Sequence, residues 1–363
     1  MALPEETLWQ IEPHTRAKHV ILKTYLDAWF PILSKWNQRI VYIDGFSGSG
    51  RYANGEPGSP LIALECARTH RAKLKGELVF YFIEIRQDRA DHLRKELADL
   101  QLPAHFKASV ENGTFSEELT RALNELDASG KRSAPTFALV DPFGFSGIPY
   151  SLIKRLLAAG KCEVLITFMA DSMNRWLTHP GEKIQEHIVE TFGTEEALAI
   201  AEGSGDRVTA LKNLYQAQLQ TIAKFVRYFE MRDRKNRVVY YLFFASNNSL
   251  GHLKMKEAMW KVDPMGDFSF SDATNPYQQL IFESPSSASL GNELTSTYSG
   301  KGQIPVELVE TYVFDQTPYL RKHMREALAT LESSGKLAVG ATKVDGKKRL
   351  AGTYPNEALV TFV

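Results

Sequence analysis

Short apolar runs, rich in β-branched and aromatic residues, alternate with helical patterns through the first half of the chain. Each run predicts a buried strand, and the alternation of strand and helix requires a mainly parallel sheet covered by helices on both faces. The predicted strands are 39–44, 78–84, 104–108, 136–141 and 162–169. The predicted helices between them are 59–70, 87–100, 116–127 and 149–158.

A helix is also predicted before this region, over about 14–35, where apolar residues recur at three- and four-residue spacings. Pro31 is expected to end or kink this helix. A long polar and helical insertion, about 170–222, follows the fifth strand.

Two apolar runs, 225–231 and 238–245, then flank a polar turn and predict a hairpin, with a helix at about 250–260 after it. Five parallel strands followed by a hairpin resemble the seven-stranded sheet of class I methyltransferases, whose last strand inserts antiparallel. The fold class predicted for residues 1–263 is therefore α/β, with a Rossmann-like methyltransferase sheet.

The remaining chain predicts a linker and a small second domain. Residues 264–302 are rich in Ser, Asn, Gly and Pro, which is typical of a linker. Two amphipathic helices, 305–313 and 319–332, precede two strands, 336–339 and 349–354, that bracket a turn at Asp345-Gly346. Two helices and a basic hairpin predict a C-terminal winged helix-turn-helix domain over 303–363.

Composition narrows the class of protein only slightly. Lys plus Arg and Asp plus Glu both number 43 in 363 residues, so any contact with nucleic acid requires a local basic patch. The two cysteines, Cys66 and Cys162, exclude a disulfide framework and a cysteine-rich metal site. With no signal-like start and no apolar stretch of membrane-spanning length, we expect no membrane partner and a cytoplasmic location.

The first predicted strand ends at Asp44 and continues into the glycine-rich loop Gly45-Phe46-Ser47-Gly48-Ser49-Gly50. Glycine lets the backbone approach a ligand closely, and ligands of open α/β sheets bind beyond the carboxyl ends of the strands. We interpret this loop as the cofactor-binding site of an S-adenosylmethionine-dependent methyltransferase. Phe46, Gly48 and Gly50 are expected to contact the methionine moiety, with Asp44 near its ammonium group. A tight turn between strand and helix is the alternative.

Two further residues are candidates for the nucleoside part of the cofactor. Glu84 ends the second predicted strand, 40 residues after Asp44, where a carboxylate can accept hydrogen bonds from both ribose hydroxyls. Asn112 follows the third strand and could pair with the adenine edge, although Asn-Gly is itself a strong turn signal.

The reaction-centre candidate is Asp141-Pro142-Phe143-Gly144, at the end of the fourth predicted strand. Amino-methyltransferases have Asp/Asn-Pro-Pro-aromatic here, whose carboxylate and proline carbonyl accept hydrogen bonds from the target amine while the ring stacks on the base. This chain has one proline, Phe143 in the next place, and glycine where the aromatic would be. A turn at the end of a strand is the alternative.

His14 and Lys18 are four residues apart and share one face of the first helix. They could contact the cofactor carboxylate or a substrate phosphate, whereas an ordinary solvated face is the simpler explanation.

The motifs together resemble the three-Cys-motif partner protein (TcmP) family. The matching segments are 13–19 (PHTRAKH), 42–52 (YIDGFSGSGRY), 58–61 (GSPL), 82–84 (FIE), 141–144 (DPFG), 165–169 (LITFM), 255–260 (MKEAMW), 317–319 (TPY) and 353–355 (TYP). The resemblance implies a methyltransferase-like domain, a winged-helix domain, and a partner with three cysteines similar to radical-SAM enzymes. More distantly, the glycine loop and the His/Lys segment resemble a ribosomal-RNA adenine-N6 methyltransferase.

Three functions compete at this point. The leading hypothesis is an S-adenosylmethionine-dependent methyltransferase acting on nucleic acid, with Asp141, Pro142 and Phe143 addressing an exocyclic amine. The second is a non-catalytic partner protein that keeps the fold. The third is a metal-dependent hydrolase, but no acidic cluster has metal-ligand spacing, so no metal is expected.

Overall fold

The computed structural model describes residues 5–145, 147–264, 266–273, 287–343, 349–350 and 352–363. They fall into two compact units, one drawn from 1–262 and 269–275 and the other from 263–268 and 276–363. None of the helices in these ranges combines the length and the apolarity needed to cross a membrane.

The first unit is built on one sheet, which has eight strands among the described residues. The strands are β1 (Arg39–Asp44), β2 (Glu77–Glu84), β3 (Phe106–Asn112), β4 (Thr136–Val140), β5 (Cys162–Phe168), β6 (Phe225–Arg232), β7 (Val238–Ser246) and β8 (Ser269–Ser271). Their order is β3-β2-β1-β4-β5-β7-β6-β8. The first five strands are parallel, and β7 runs antiparallel to both of its neighbours, β5 and β6.

The helices of the first unit connect and cover these strands. They are α1 (Pro13–Ser34), α2 (Ser59–Arg68), α3 (Gln87–Asp99), α4 (Phe115–Ala128), α5 (Tyr150–Ala158), α6 (Ala170–Trp176), α7 (Glu182–Phe192), α8 (Glu196–Ala199), α9 (Arg207–Gln220) and α10 (Ser249–Val262). Helices α6 to α9 form the predicted insertion. Pro31 does not end α1, which continues to Ser34, and the buried side chains of Trp29 and Phe30 hold its last turns against the sheet.

The strand order and the antiparallel β7 give the first unit the class I methyltransferase fold, as the sequence predicted. The prediction of seven strands needs one correction, because β8 adds to the sheet beside β6 and parallel to it. This strand lies in the Ser- and Pro-rich segment 264–302, which was expected to be a linker. A three-residue strand is too short to produce a recognisable alternation of apolar and polar residues.

The second unit has the order of elements of a winged helix-turn-helix domain. Its elements are α11 (Ser287–Tyr298), β9 (Ile304–Pro305), α12 (Val306–Gln316), α13 (Arg321–Ser333), β10 (Leu337–Lys343) and β11 (Ala358–Phe362), and the strands pair in the order β10-β11-β9. Helix α11 also falls within the predicted linker. Leu290, Leu294 and Tyr298 recur every four residues on it and are buried, which explains why this polar segment is helical.

The second strand of the predicted wing was placed wrongly. It is 358–362, not 349–354, because Ala358, Val360 and Phe362 alternate into the core of this unit. The segment that was mistaken for a strand instead contacts α13, where Arg349 Nη2 lies 2.6 Å from a carboxylate oxygen of Glu332. The turn predicted at 345–346 lies outside the described residues.

A buried carboxylate joins α1 to the sheet in the first unit. Glu163 on β5 accepts hydrogen bonds from Tyr25 Oη (2.6 Å) and Trp29 Nε1 (2.8 Å) of α1, and from Ser246 Oγ (2.8 Å) of β7. A Cβ at Gly251, on α10, would lie 1.8 Å from Glu163 Oε1, so α10 packs directly on the same carboxylate. Burial raises the pKa of Glu163 above its usual value, although the three donors oppose this shift.

We predict that Glu163→Ala lowers the free energy of unfolding by about 3 kcal/mol or more, because it leaves three buried donors without their acceptor. Glu65→Ala, which removes an exposed carboxylate on α2, should change stability by less than about 0.5 kcal/mol. Denaturant titration followed by circular dichroism measures both values. Equal stability of the two variants would contradict a structural role for the Glu163 network.

Candidate functional site

A cavity of about 420 Å³ lies where the glycine loop after β1, the segment after β4 and the start of α1 meet. Its lining residues are Glu6, Trp9, Gln10, Glu12, His14, Thr15, Lys18, Phe46, Ser47, Gly48, Ser49, Gly50, Arg51, Tyr52, Gly58, Ser59, Asp141, Pro142, Phe143, Thr167, Met169 and Tyr240. The structure therefore brings together eight of the predicted site residues, namely His14, Lys18, Phe46, Gly48, Gly50, Asp141, Pro142 and Phe143. Asp44, Glu84 and Asn112 do not line the cavity.

The glycine loop passes over the end of β2 and is held there by backbone hydrogen bonds. Ser47 N donates to Ile83 O at 2.9 Å, and Gly48 N donates to Glu84 Oε2, also at 2.9 Å. Gly48 has a φ of +61°, and a Cβ on it would lie 3.0 Å from the Trp9 ring. The loop thus requires glycine at position 48 for both its backbone conformation and its packing.

Asp44 is fully buried beneath this loop. Its carboxylate accepts hydrogen bonds from Phe46 N at 3.3 Å and Tyr42 Oη at 3.4 Å, and from the side chain of Ser59. Burial raises the pKa of Asp44 to about 7, against the lowering effect of these hydrogen bonds. In this arrangement Asp44 supports the loop from beneath and does not line the cavity, and its contact with a ligand's ammonium group stays a prediction.

Glu84 and Asn112 hold the end of β2. The two carboxylate oxygens of Glu84 accept from Gly48 N and, at 2.8 Å, from Arg86 N. Asn112 is exposed, and its Nδ2 donates to the carbonyl oxygens of Glu84 (2.9 Å) and Ile85 (3.0 Å). These bonds connect β3, β2 and the glycine loop into one rigid support for the cavity.

An ion pair lies in the cavity at the end of β4. Lys18 Nζ contacts Asp141 Oδ2, and Thr167 Oγ1 donates to Asp141 Oδ1 at 2.5 Å. Burial alone would raise the pKa of Asp141, but the Lys18 ammonium and the two hydrogen bonds outweigh it, so the pKa lies below its ordinary value. Asp141 is therefore an anion at neutral pH, with hydrogen-bond acceptor positions still free on both oxygens.

A second polar pair lies one turn before Lys18 on α1. Nδ1 of the buried His14 is 2.9 Å from Asp272 Oδ2, and Asp272 directly follows β8. The Tyr240 ring packs edge-on against the His14 ring, and Tyr240 Oη donates to the carbonyl oxygen of His14 at 3.3 Å. His14 and Lys18, which share one face of α1, are thus both buried and line the cavity.

Aromatic rings form another wall of the cavity. Trp9 contacts Tyr52 and Phe143 edge to face, with centroid distances of 5.5 and 5.4 Å. The Arg89 guanidinium lies 4.5 Å from the Trp9 ring centroid and 5.7 Å from that of Phe143. Flat rings at such a wall can pack against a planar ligand such as a nucleobase.

Sequence analysis overlooked several of these lining residues. Tyr52 and Thr167 stand inside motifs that were recognised, 42–52 and 165–169, and Thr167 also lies near the end of β5, which was a usable signal. Trp9 precedes every periodic segment, and Tyr240 looks like an ordinary strand aromatic. Neither carries a sequence signal for a site.

Comparison with protein families finds one match, which covers part of the chain. Residues 267–343 match the family model described as a GMT-like wHTH domain. The match begins before the predicted domain start at 303 and takes in α11 of the second unit, and it also includes 269–275 of the first unit. Comparison with curated protein sequences gives no match.

Three of the solved structures similar to this chain contain S-adenosyl-L-methionine or SAH. Trm1 from Pyrococcus horikoshii, in complex with S-adenosyl-L-methionine, is 12% identical over 72% of this chain and 62% of its own, with a TM-score of 0.37. An O-methyltransferase from Bacillus cereus in complex with SAH is 11% identical over 67% and 84%, with a TM-score of 0.35. Human methyltransferase-like protein 13 in complex with SAH is 11% identical over 74% and 96%, also with a TM-score of 0.35.

This chain therefore spans less than two thirds of the Trm1 chain. These identities and TM-scores are too low to support an argument. The fold of the first unit is therefore assigned from the order and the directions of its strands. Within the described residues, no three His, Cys, Asp or Glu side chains are grouped so that they could hold a metal ion.

We predict a pH-dependent effect of Asp44 on stability. Its pKa in the folded protein, about 7, lies above the ordinary 3.8, so the folded state gains stability from protonated Asp44 at low pH and loses it as the pH rises through 7. Relative to Asp44→Asn, the wild type should lose up to about 4 kcal/mol of unfolding free energy between pH 4 and pH 8. Denaturant titrations of both proteins across this pH range measure the loss of unfolding free energy. The same pH dependence in both proteins would contradict a raised pKa of Asp44 in the folded state.

Proposed function

We propose that the protein is an S-adenosylmethionine-dependent methyltransferase that acts on nucleic acid, with an exocyclic base amine as the acceptor. One observation carries this proposal. On a class I methyltransferase sheet, a single cavity joins the glycine loop after β1 to Asp141, Pro142 and Phe143 after β4.

The cavity suits a nucleoside cofactor in its size and its backbone. Its volume of about 420 Å³ is in the usual range for small-ligand sites, and at Gly48 and Gly50 it is walled by backbone alone. Gly48, Gly50 and Phe46 would hold the methionine moiety, with Lys18 on the facing helix. Neither Glu84 nor Asn112 lines the cavity, so for Glu84 to accept the ribose hydroxyls and Asn112 to meet the adenine, the nucleoside would extend past the cavity toward the ends of β2 and β3.

When bound, S-adenosylmethionine would supply an electrophilic methyl group. Transfer by direct displacement depends mainly on alignment, so few catalytic groups are needed. The free acceptor positions of Asp141 and the carbonyl of Pro142, which has no NH of its own, would orient the amine. Phe143 would stack on the base, as the wall shared with Trp9 allows.

The second unit supports a nucleic-acid substrate. On α13 the side chains of Lys322 and Arg325 are exposed, whereas Arg321 is paired with Glu310 at 3.0 Å. A basic helix of a winged helix-turn-helix domain can contact phosphates. The chain's resemblance to three-Cys-motif partner proteins adds a radical-SAM-like protein as a proposed partner.

A non-catalytic partner protein is the second candidate, and one observation favours it. Lys18 and Thr167 each occupy a position on Asp141 that an acceptor amine would otherwise use. Calorimetric titration with S-adenosylmethionine, followed by transfer of labelled methyl groups to total RNA and genomic DNA, separates the two candidates. Binding with transfer supports the enzyme, binding without transfer supports the partner, and no binding rejects both.

We predict that Gly48→Ala weakens S-adenosylmethionine binding at least about tenfold, because the added methyl meets Trp9 at 3.0 Å in a left-handed backbone. Gly55→Ala is a matched control, since Gly55 has a φ of +82° and nothing within 4 Å of its Cβ position. Its affinity should stay within about twofold of the wild type. Calorimetry measures both, and equal losses would place the cofactor away from the loop.

We predict that Asp141→Asn slows methyl transfer at least about a hundredfold while S-adenosylmethionine affinity changes by less than about fivefold. The amide presents one acceptor oxygen where the carboxylate has two, so it orients the amine less well. Asp99→Asn, at an exposed position on α3, should leave both quantities unchanged. If Asp141→Asn methylates the wild-type substrate at the full rate, the reaction centre must lie elsewhere.

A further inference from the structure

The pair formed by His14 and Asp272 is not explained by cofactor binding alone. Asp272 is held in place by its backbone, because its N donates to Arg232 O at 3.0 Å where β8 ends beside β6. Its side chain is 8% exposed, and the His14 side chain 6%. Two nearly buried side chains, one near the start and one near the end of the sequence of the first unit, therefore lie 2.9 Å apart beside the cavity.

The hydrogen bonds of this pair determine what the His14 ring can do. A carboxylate accepts, so Nδ1 of His14 donates to Asp272, and a neutral ring then keeps Nε2 as a proton acceptor. Within the described residues, Asp272 Oδ1 is buried and has no hydrogen-bond partner. This spare charge stabilises a positive imidazolium if the ring takes a proton.

The charged groups around His14 also favour a ring whose Nε2 can accept a proton. Lys18, one turn further along α1, has its ammonium committed to Asp141. Tyr240, on β7, donates its hydroxyl hydrogen to the His14 carbonyl oxygen and presents its ring face to Lys18. The His14 ring thus has one charged neighbour within hydrogen-bond distance among the described residues, Asp272.

We infer that His14 accepts the proton released in methyl transfer and that Asp272 is its positioning residue. This inference rests on the proposed function. The acceptor nitrogen forms a bond to the methyl carbon, the electron pair of the broken carbon–sulfur bond stays on sulfur, and the nitrogen must lose one proton. His14 Nε2 takes that proton, directly or through one water, and later releases it to solvent. Asp272 holds the ring in the required tautomer and balances the charge.

The first test uses the ligand-free protein and needs no substrate. In ¹⁵N spectra of histidine-labelled wild type, neutral His14 should carry its proton on Nδ1, and Asp272→Ala should abolish that preference. Asp99→Ala is the control and should leave the His14 signals unchanged. A wild-type His14 protonated on Nε2 would overturn the inference whatever the activity.

The second test measures single-turnover methyl transfer to the RNA or DNA that the wild type methylates. His14→Gln should slow it at least about a hundredfold and Asp272→Asn at least about tenfold, with S-adenosylmethionine affinity within about threefold. The double variant should be no more than about threefold slower than His14→Gln, because Asp272 acts through His14. His105→Gln, at an exposed position before β3, is the matched control.

The outcomes distinguish the inference from the proposed function. Unchanged transfer by His14→Gln would overturn the proton-acceptor role and leave the methyltransferase intact. A parallel loss of cofactor affinity would overturn it in favour of a site for the cofactor carboxylate. A wild type that binds S-adenosylmethionine but transfers no methyl group would reject the proposed function, and the inference with it.

Discussion

The candidate site depends on the ion pair between Lys18 and Asp141. Removing two charges from water is costly, and here the cost is offset by their contact and by the hydrogen bond from Thr167. Because the three residues come from α1, from the segment after β4 and from β5, the pair determines how these elements meet. The glycine loop, the His14 ring and the aromatic wall line the same cavity as this pair.

Most of the sheet of the first unit was predictable because each of the strands β1 to β7 carries a local signal. Within the predicted strands 136–141 and 162–169, residues 137–140 and 164–166 are all apolar, as is typical of buried parallel strands, and the polar turn between 225–231 and 238–245 identified the hairpin. The errors lie where local patterns are weak. Strand β8 is too short to show alternation, and the wing strand at 358–362 was passed over for a basic segment that bonds to α13 instead.

The site was predictable by residue type but not by geometry. Glycines and acids at the ends of strands can be recognised in sequence, yet whether a carboxylate faces the ligand or the core depends on packing. Asp44 lies under the loop because Tyr42, Phe46 and Ser59 surround it, and none of these contacts is encoded by spacing. Asp272 is 258 residues from His14, so only the folded chain brings them together.

The two edge strands of the eight-stranded sheet, β8 and β3, affect how easily molecules of this protein associate through their sheets. Strand β8 at one end has only three residues, and β3 at the other carries the exposed Lys107 and the half-buried Glu111. Short and charged edge strands are poor templates for pairing with a strand from another molecule. The same polar segment that supplies Asp272 therefore also shields the open side of β6, and protects the sheet from edge-to-edge aggregation.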